Sequence, residues 1–91
     1  MTTYRRHPDL RLAALDGEGV VLHLGARRYF TVSETGLVLL EALEKPCTIE
    51  ELVSALTTTY DVDRAHAETS VHAFLDRCRE GGLLVRDDAT A

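Results

Sequence analysis

Arg28-Tyr29-Phe30-Thr31-Val32-Ser33-Glu34-Thr35-Gly36 changes its pattern at Ser33. Up to Val32 the residues are aromatic or β-branched, the composition of a strand. Side chains alternate along a strand, so Phe30 and Val32 share one face and Tyr29 and Thr31 the other. Phe30 and Val32 are expected to face the core. Ser33 is a favoured helix N-cap, and Glu34 suits the positive end of the helix that follows. Strands are therefore expected before Ser33 and helices after it.

Upstream, Leu10-Arg11-Leu12-Ala13-Ala14-Leu15 is a short alternating segment, and Asp16-Gly17-Glu18-Gly19 reads as a turn. Val20 to Leu24 is a second strand, and Gly25-Ala26 is a tight connection to the third at 28–32. Three short strands with glycine-containing turns predict an antiparallel meander. Neighbours in sequence pair, so an outer strand keeps a free edge.

Downstream, Gly36 to Glu44 carries Leu37, Val38, Leu39, Leu40 and Leu43, apolar on nearly every side, as in a buried helix ended by Lys45 and Pro46. Thr48 and Glu51 form a capping box. Ile49, Leu52, Val53, Leu56 and Tyr60 then make one core-facing stripe. Asp63 caps a third helix reaching about Glu80, with Ala67, Val71, Phe74, Leu75 and Cys78 on its apolar side and Gly81-Gly82 as its stop. Leu83 to Val85 is a short strand or an extended tail. The expected architecture is α+β and winged helix-turn-helix-like: a three-stranded antiparallel sheet followed by three helices. It is expected as one domain over 1–91, with 1–9 and 87–91 flexible.

The composition supports a folded binding module. Apolar residues make up 45% of the 91, enough for one modest core. No apolar run follows Arg5 and Arg6 as in a signal peptide, and no stretch has the length to span a bilayer. The expected compartment is the cytoplasm, with Cys47 and Cys78 as reduced thiols. Residues 1–32 hold five arginines against three acids, a net +2, whereas residues 33–91 hold five bases against twelve acids, a net −7. An acidic helical half repels nucleic acid and anionic lipid.

Few residues invite chemistry. Cys47 and Cys78 are far apart in sequence, and His66 and His72 fall on different faces of one helix, so the close ligand pairs of a zinc site are missing. The cysteines read as small core residues and the histidines as surface residues, with no metal and no cofactor expected. No serine or cysteine sits in a recognisable nucleophile–base–acid frame, and no glycine-rich loop serves a phosphate. A DNA-binding regulator is the natural alternative for helix-turn-helix topology. However, the helix from Asp63 to Glu80 holds four acids and three arginines, a poor match to phosphates and base edges. What remains is the free strand edge at 28–32, which can accept an extended peptide as one more strand.

The run Val20-Val21-Leu22-His23-Leu24, the segment Arg28 to Gly36, Thr48-Ile49-Glu50-Glu51-Leu52-Val53, Tyr60-Asp61-Val62-Asp63, Phe74-Leu75 and Gly82-Leu83-Leu84 together resemble the PqqD-like proteins, over about residues 10–86. Tyr-Phe-x-x-x-Glu-Thr-Gly is the most specific part. The family pattern has Asn where Ser33 stands, which caps a helix equally well. It commonly has a larger apolar residue at the position of Cys78.

The resemblance implies a non-catalytic recognition element that binds the leader of a ribosomally made precursor peptide, as a strand added to the third strand beside the third helix. Carried over, the strand contributes Arg28, Tyr29, Phe30, Thr31 and Val32, and the helix Glu68, Val71, His72, Leu75 and Asp76. Val71 and Leu75 would line an apolar pocket. Glu68 and Asp76 would either hold a Lys or Arg of the leader or keep the helix solvated. The resemblance further implies lasso peptide biosynthesis, with a leader peptidase and a cyclase as partners. The alternative is a PqqD-type peptide chaperone for coenzyme PQQ or for radical-SAM peptide modification.

Overall fold

The computed structural model describes residues 2–88. Its elements run β1 (Thr2–Arg6), β2 (Leu10–Leu15), β3 (Glu18–His23), β4 (Arg28–Ser33), α1 (Glu34–Ala42), α2 (Ile49–Thr59), α3 (Arg64–Glu80) and β5 (Leu84–Asp88). The division at Ser33 is as expected: its hydroxyl accepts the Gly36 amide at 3.2 Å, and α1 begins where β4 ends. The capping box of α2 is closed in both directions between Thr48 and Glu51. Asp63 caps α3 by accepting the His66 amide at 2.7 Å, and Gly82 follows the helix at φ 72°, the left-handed conformation that suits glycine.

β2, β3 and β4 form the expected antiparallel meander, ordered β2-β3-β4. The first turn is tighter than the sequence suggests. Leu15 pairs with Glu18, leaving only Asp16 and Gly17 between them, both at positive φ (46° and 82°). An Asp-Gly turn with both residues left-handed matches the twist of the strands it joins, so Glu18 and Gly19 belong to β3. Gly19 must also stay small, because a Cβ there would lie 2.7 Å from Val32 and 3.0 Å from Leu37.

The termini depart from expectation. Thr2–Arg6, within the segment read as flexible, is a strand, and it pairs antiparallel with Leu84–Asp88, which includes Asp87 and Asp88. Tyr4 and Cys47 also exchange amide hydrogen bonds of 2.7 and 2.8 Å. The reason is non-local: Thr-Thr-Tyr-Arg-Arg has no apolar alternation of its own, and its partner strand lies at the far end of the chain. Met1 and residues 89–91 lie outside the described residues.

The core sits between α1, α2 and α3 and the inner face of the meander. Leu40, Leu43, Leu52, Val53, Ala67, Val71 and Val21 are all fully buried. Leu43, one residue beyond α1, is part of that core although the helix ends before it.

Candidate functional site

β4 is an outer strand of its sheet, and among the described residues no strand pairs with its far side. Amides and carbonyls on that side are available to a further strand. As alternation demands, Phe30 and Val32 turn inward against the core, whereas Thr31 is exposed and Tyr29 is 72% exposed.

A groove runs beside this edge. Its first part, about 230 Å³, lies between Phe30, Thr31, Val32 and Ser33 of β4, Phe74, Arg77 and Cys78 of α3, and Leu83. The Arg28 guanidinium stands over the Phe30 ring, 5.3 Å from its centre, at the outer end. The groove continues past the end of β4 into a second part of about 300 Å³, bounded by Ser33, Thr35 and Gly36 at the start of α1 and by Ser70, Ala73, Phe74 and Arg77 of α3. Gly36 allows α3 to come this close: a Cβ there would lie 2.9 Å from Phe74 and 3.1 Å from Val32.

Of the residues selected from the sequence, Arg28, Tyr29, Phe30, Thr31 and Val32 stand together on the open edge. The five from α3 do not face it. Val71 is fully buried and Leu75 is 6% exposed, both in the core. His72, Leu75 and Asp76 border a small cavity of about 80 Å³ on the other flank of α3, against Tyr4, Leu84 and Arg86. Both acids already have partners within the helix: Glu68 accepts from Arg64 at 3.1 Å and Asp76 from Arg79 at 3.2 Å. Phe74, Arg77 and Cys78 are the α3 residues that line the groove beside β4, and Ser70, Ala73, Phe74 and Arg77 line it beside the start of α1. The i, i+3, i+4, i+7 spacing of these last four is a stripe legible in the sequence, beside the more apolar stripe of Ala67, Val71, Leu75 and Cys78. The small residues Ser70 and Ala73 on that stripe are the signal for a close approach.

Neither cysteine is activated. Burial pushes the Cys78 thiol up to about 12, against the opposing pull of the Arg77 charge. Burial, reinforced by the Glu51 carboxylate, also raises Cys47. Both thiols stay protonated and are poor nucleophiles at neutral pH.

His7 and Asp9, two residues apart, and His23 from the end of β3 bring donor atoms within 4.8 Å of one another. The expectation that the histidines lie on the surface fails here, since His23 is buried and its ring stands 4.5 Å from that of His7. The bonding pattern is structural. The Asp9 amide donates to His7 Nδ1 at 3.0 Å and the Ala26 amide to His23 Nδ1 at 3.1 Å. The Nδ1 atom of each ring is thereby engaged by a backbone amide. The Leu24 amide also donates to the Asp9 carbonyl at 3.0 Å, so the cluster ties the β3–β4 turn to the start of β2.

Comparison with known proteins places this arrangement. The model of the PqqD family, coenzyme PQQ synthesis protein D, matches residues 18–84. The chain belongs to the PqqD family. The match takes in the β3–β4 edge, all three helices and the groove between them, so the PqqD-like resemblance read from the residues holds. The structure of TbiB1 in complex with the TbiA(beta) leader peptide is similar to this PqqD-family chain, with 30% identity, a TM-score of 0.74, and 96% of this chain and 98% of that chain covered. A lasso peptide synthetase B1 complexed with the leader peptide shares the fold, at 23% identity and a TM-score of 0.73 over 90% of this chain and 96% of that one. The α+β architecture, a three-stranded antiparallel sheet followed by three helices, is thus shared with both. Comparison with curated proteins gave no match.

Proposed function

We propose that this PqqD-family chain binds the leader segment of a ribosomally synthesised precursor peptide as a strand added to β4, and delivers it to the leader peptidase and cyclase of a lasso peptide pathway. The observation that carries the reading is the open edge of β4 alongside a groove that continues between α1 and α3. Backbone groups of Arg28 to Val32 set the register, and apolar side chains of the leader rest on Phe30, Val32, Phe74 and Leu83. The α3 contribution comes from Ser70, Ala73, Phe74 and Arg77, in place of the Glu68, Val71, His72, Leu75 and Asp76 set.

Leader binding is supported by TbiB1, which is 30% identical and was captured with a leader peptide, and the lasso assignment by the shared fold of the lasso peptide synthetase B1. The role is non-catalytic, needs no metal or cofactor, and belongs to the cytoplasm, where precursor and enzymes are made. Among the described residues no helix is long and apolar enough to cross a membrane.

The test uses a fluorescein-labelled leader of the precursor encoded beside this chain's gene. Titration with the intact chain is expected to raise its anisotropy to saturation, while the core segment of the same precursor does not bind. A folded chain that leaves the leader's anisotropy unchanged overturns the reading. A neighbouring radical-SAM enzyme in place of the peptidase and cyclase would move the chain to the alternative pathway class.

A further inference from the structure

The resemblance leaves Glu68 and Asp76 either to hold a Lys or Arg of the leader or to keep α3 solvated, and the structure favours the second. Glu68 and Asp76 are paired with Arg64 and Arg79 and lie off the groove. The charged side chain of α3 that does border the groove is Arg77, which lines both its parts and so stands at their junction, where β4 gives way to α1. The other α3 arginines, Arg64 and Arg79, are each ion-paired, whereas the Arg77 guanidinium has no hydrogen-bond or ion-pair partner among the described residues. The Arg28 guanidinium stands over the ring of Phe30, which lines the first part. A chain of net charge −5 thus presents a groove that is apolar beside β4 and more polar beside α1, with the Arg77 guanidinium where the two parts meet.

We infer that Arg77 selects peptides carrying an acidic side chain, which it pairs with at the point where the bound segment leaves β4 and turns along α1 and α3. This rests on the strand-addition reading and adds its charge requirement. A planar guanidinium holds a carboxylate through two parallel N–H donors, so Asp or Glu fits the position better than an amide or a hydroxyl. The occupied groove excludes water from the pair, and a basic residue at the same peptide position meets uncompensated repulsion. The acid is expected at a fixed spacing from the apolar residue seated on Phe30 and Phe74, because both are held by one rigid pair of elements.

The test is to pan a phage-displayed library of random dodecapeptides against the intact chain. Selected peptides are expected to share Asp or Glu at a constant distance from an apolar position. Panning against Arg77→Glu should exchange that acid for Lys or Arg, and Arg77→Gln should leave the position unrestricted. A peptide selected on the unaltered chain should bind Arg77→Glu about tenfold more weakly, with the loss recovered when its acid is changed to Lys, as a double-mutant cycle would show. Arg77 is exposed, so both variants should keep the melting temperature of the parent. Binders that are lost on Thr31→Pro yet show no acidic preference, or ignore Arg77→Gln, overturn the pairing and leave strand addition standing. Binders that ignore Thr31→Pro as well, or a library that yields none, overturn both.

Discussion

Three residues carry sharp expectations. Thr31 lies on the open strand with its side chain in solvent, so Thr31→Ala should bind a leader nearly as the parent does. Thr31→Pro removes an amide and fits poorly in a paired strand. One lost ladder bond is worth about 0.5–1.5 kcal/mol, and distortion of the edge adds to it, so binding should weaken several-fold or more in an anisotropy titration. A cooperative thermal transition in the proline variant is the control for folding. Leu75 bears the opposite expectation from the one its sequence position suggests. It is 6% exposed in the core, so Leu75→Asp buries a charge and should unfold the domain, lost from the circular dichroism spectrum before any binding is measured. A folded Leu75→Asp chain with impaired binding would return that residue to the groove. Cys78 sets an alkaline limit. Its folded-state value of about 12 lies above the ordinary 9.0, so the protonated thiol stabilises the native state. That contribution is complete below about pH 9 and is lost as the pH rises through about 12. Thermal melts from pH 8 upward should show a decline that Cys78→Ala reduces, and the native thiol should react with a disulfide reagent far more slowly than in denaturant.

At the scale of elements, the meander and the terminal ladder have separable roles. β4, α1 and α3 build the groove, whereas β1 and β5 pair on the far flank of α3 and clasp the α1–α2 link through Tyr4 and Cys47. Arg6 also donates from its guanidinium to the Leu40 carbonyl at 3.0 Å, and its amide to the Leu43 carbonyl at 2.9 Å. Removing Thr2–Arg6 should therefore destabilise the fold without touching the binding edge. Each kcal/mol lost lowers the melting temperature of a domain this size by about 4–8 °C, so the drop should be plain in calorimetry. Leader affinity measured below the transition should stay within about twofold of the parent. A truncated chain that melts normally but no longer binds would instead place β1 in the site.

For the whole molecule, charge decides between the two partners that a helix-turn-helix topology can serve. The helical half carries −7 over residues 33–91, and α3 neutralises Arg64 and Arg79 with its own acids and Glu50. Few cations remain to release counterions from a nucleic acid, so no gel shift of duplex DNA is expected at moderate salt. A defined complex at nanomolar protein would favour a regulator over a peptide-binding protein. Arg77 does not conflict with this, because one guanidinium in a groove suits a side-chain carboxylate far better than a phosphate ladder.

What the amino-acid sequence determined by itself was everything carried by neighbours along the chain. Ser33, Thr48 and Asp63 cap helices through amides three residues away, and the alternation of Phe30 and Val32 against Tyr29 and Thr31 follows from strand geometry alone. The same local logic found the open strand of the site. Contacts between distant segments were decided only by the tertiary structure: the β1–β5 ladder, the His7–Asp9–His23 cluster, and the rotation of α3 about its axis. That rotation placed Ser70, Ala73, Phe74 and Arg77 on the groove and sent Val71 and Leu75 inward. A helix surrounded by apolar neighbours has several buried sides, and its periodicity shows which residues leave water without showing which element they meet. Gly36, by letting Phe74 approach within van der Waals contact of α1, settles that choice through a close packing that no local pattern records.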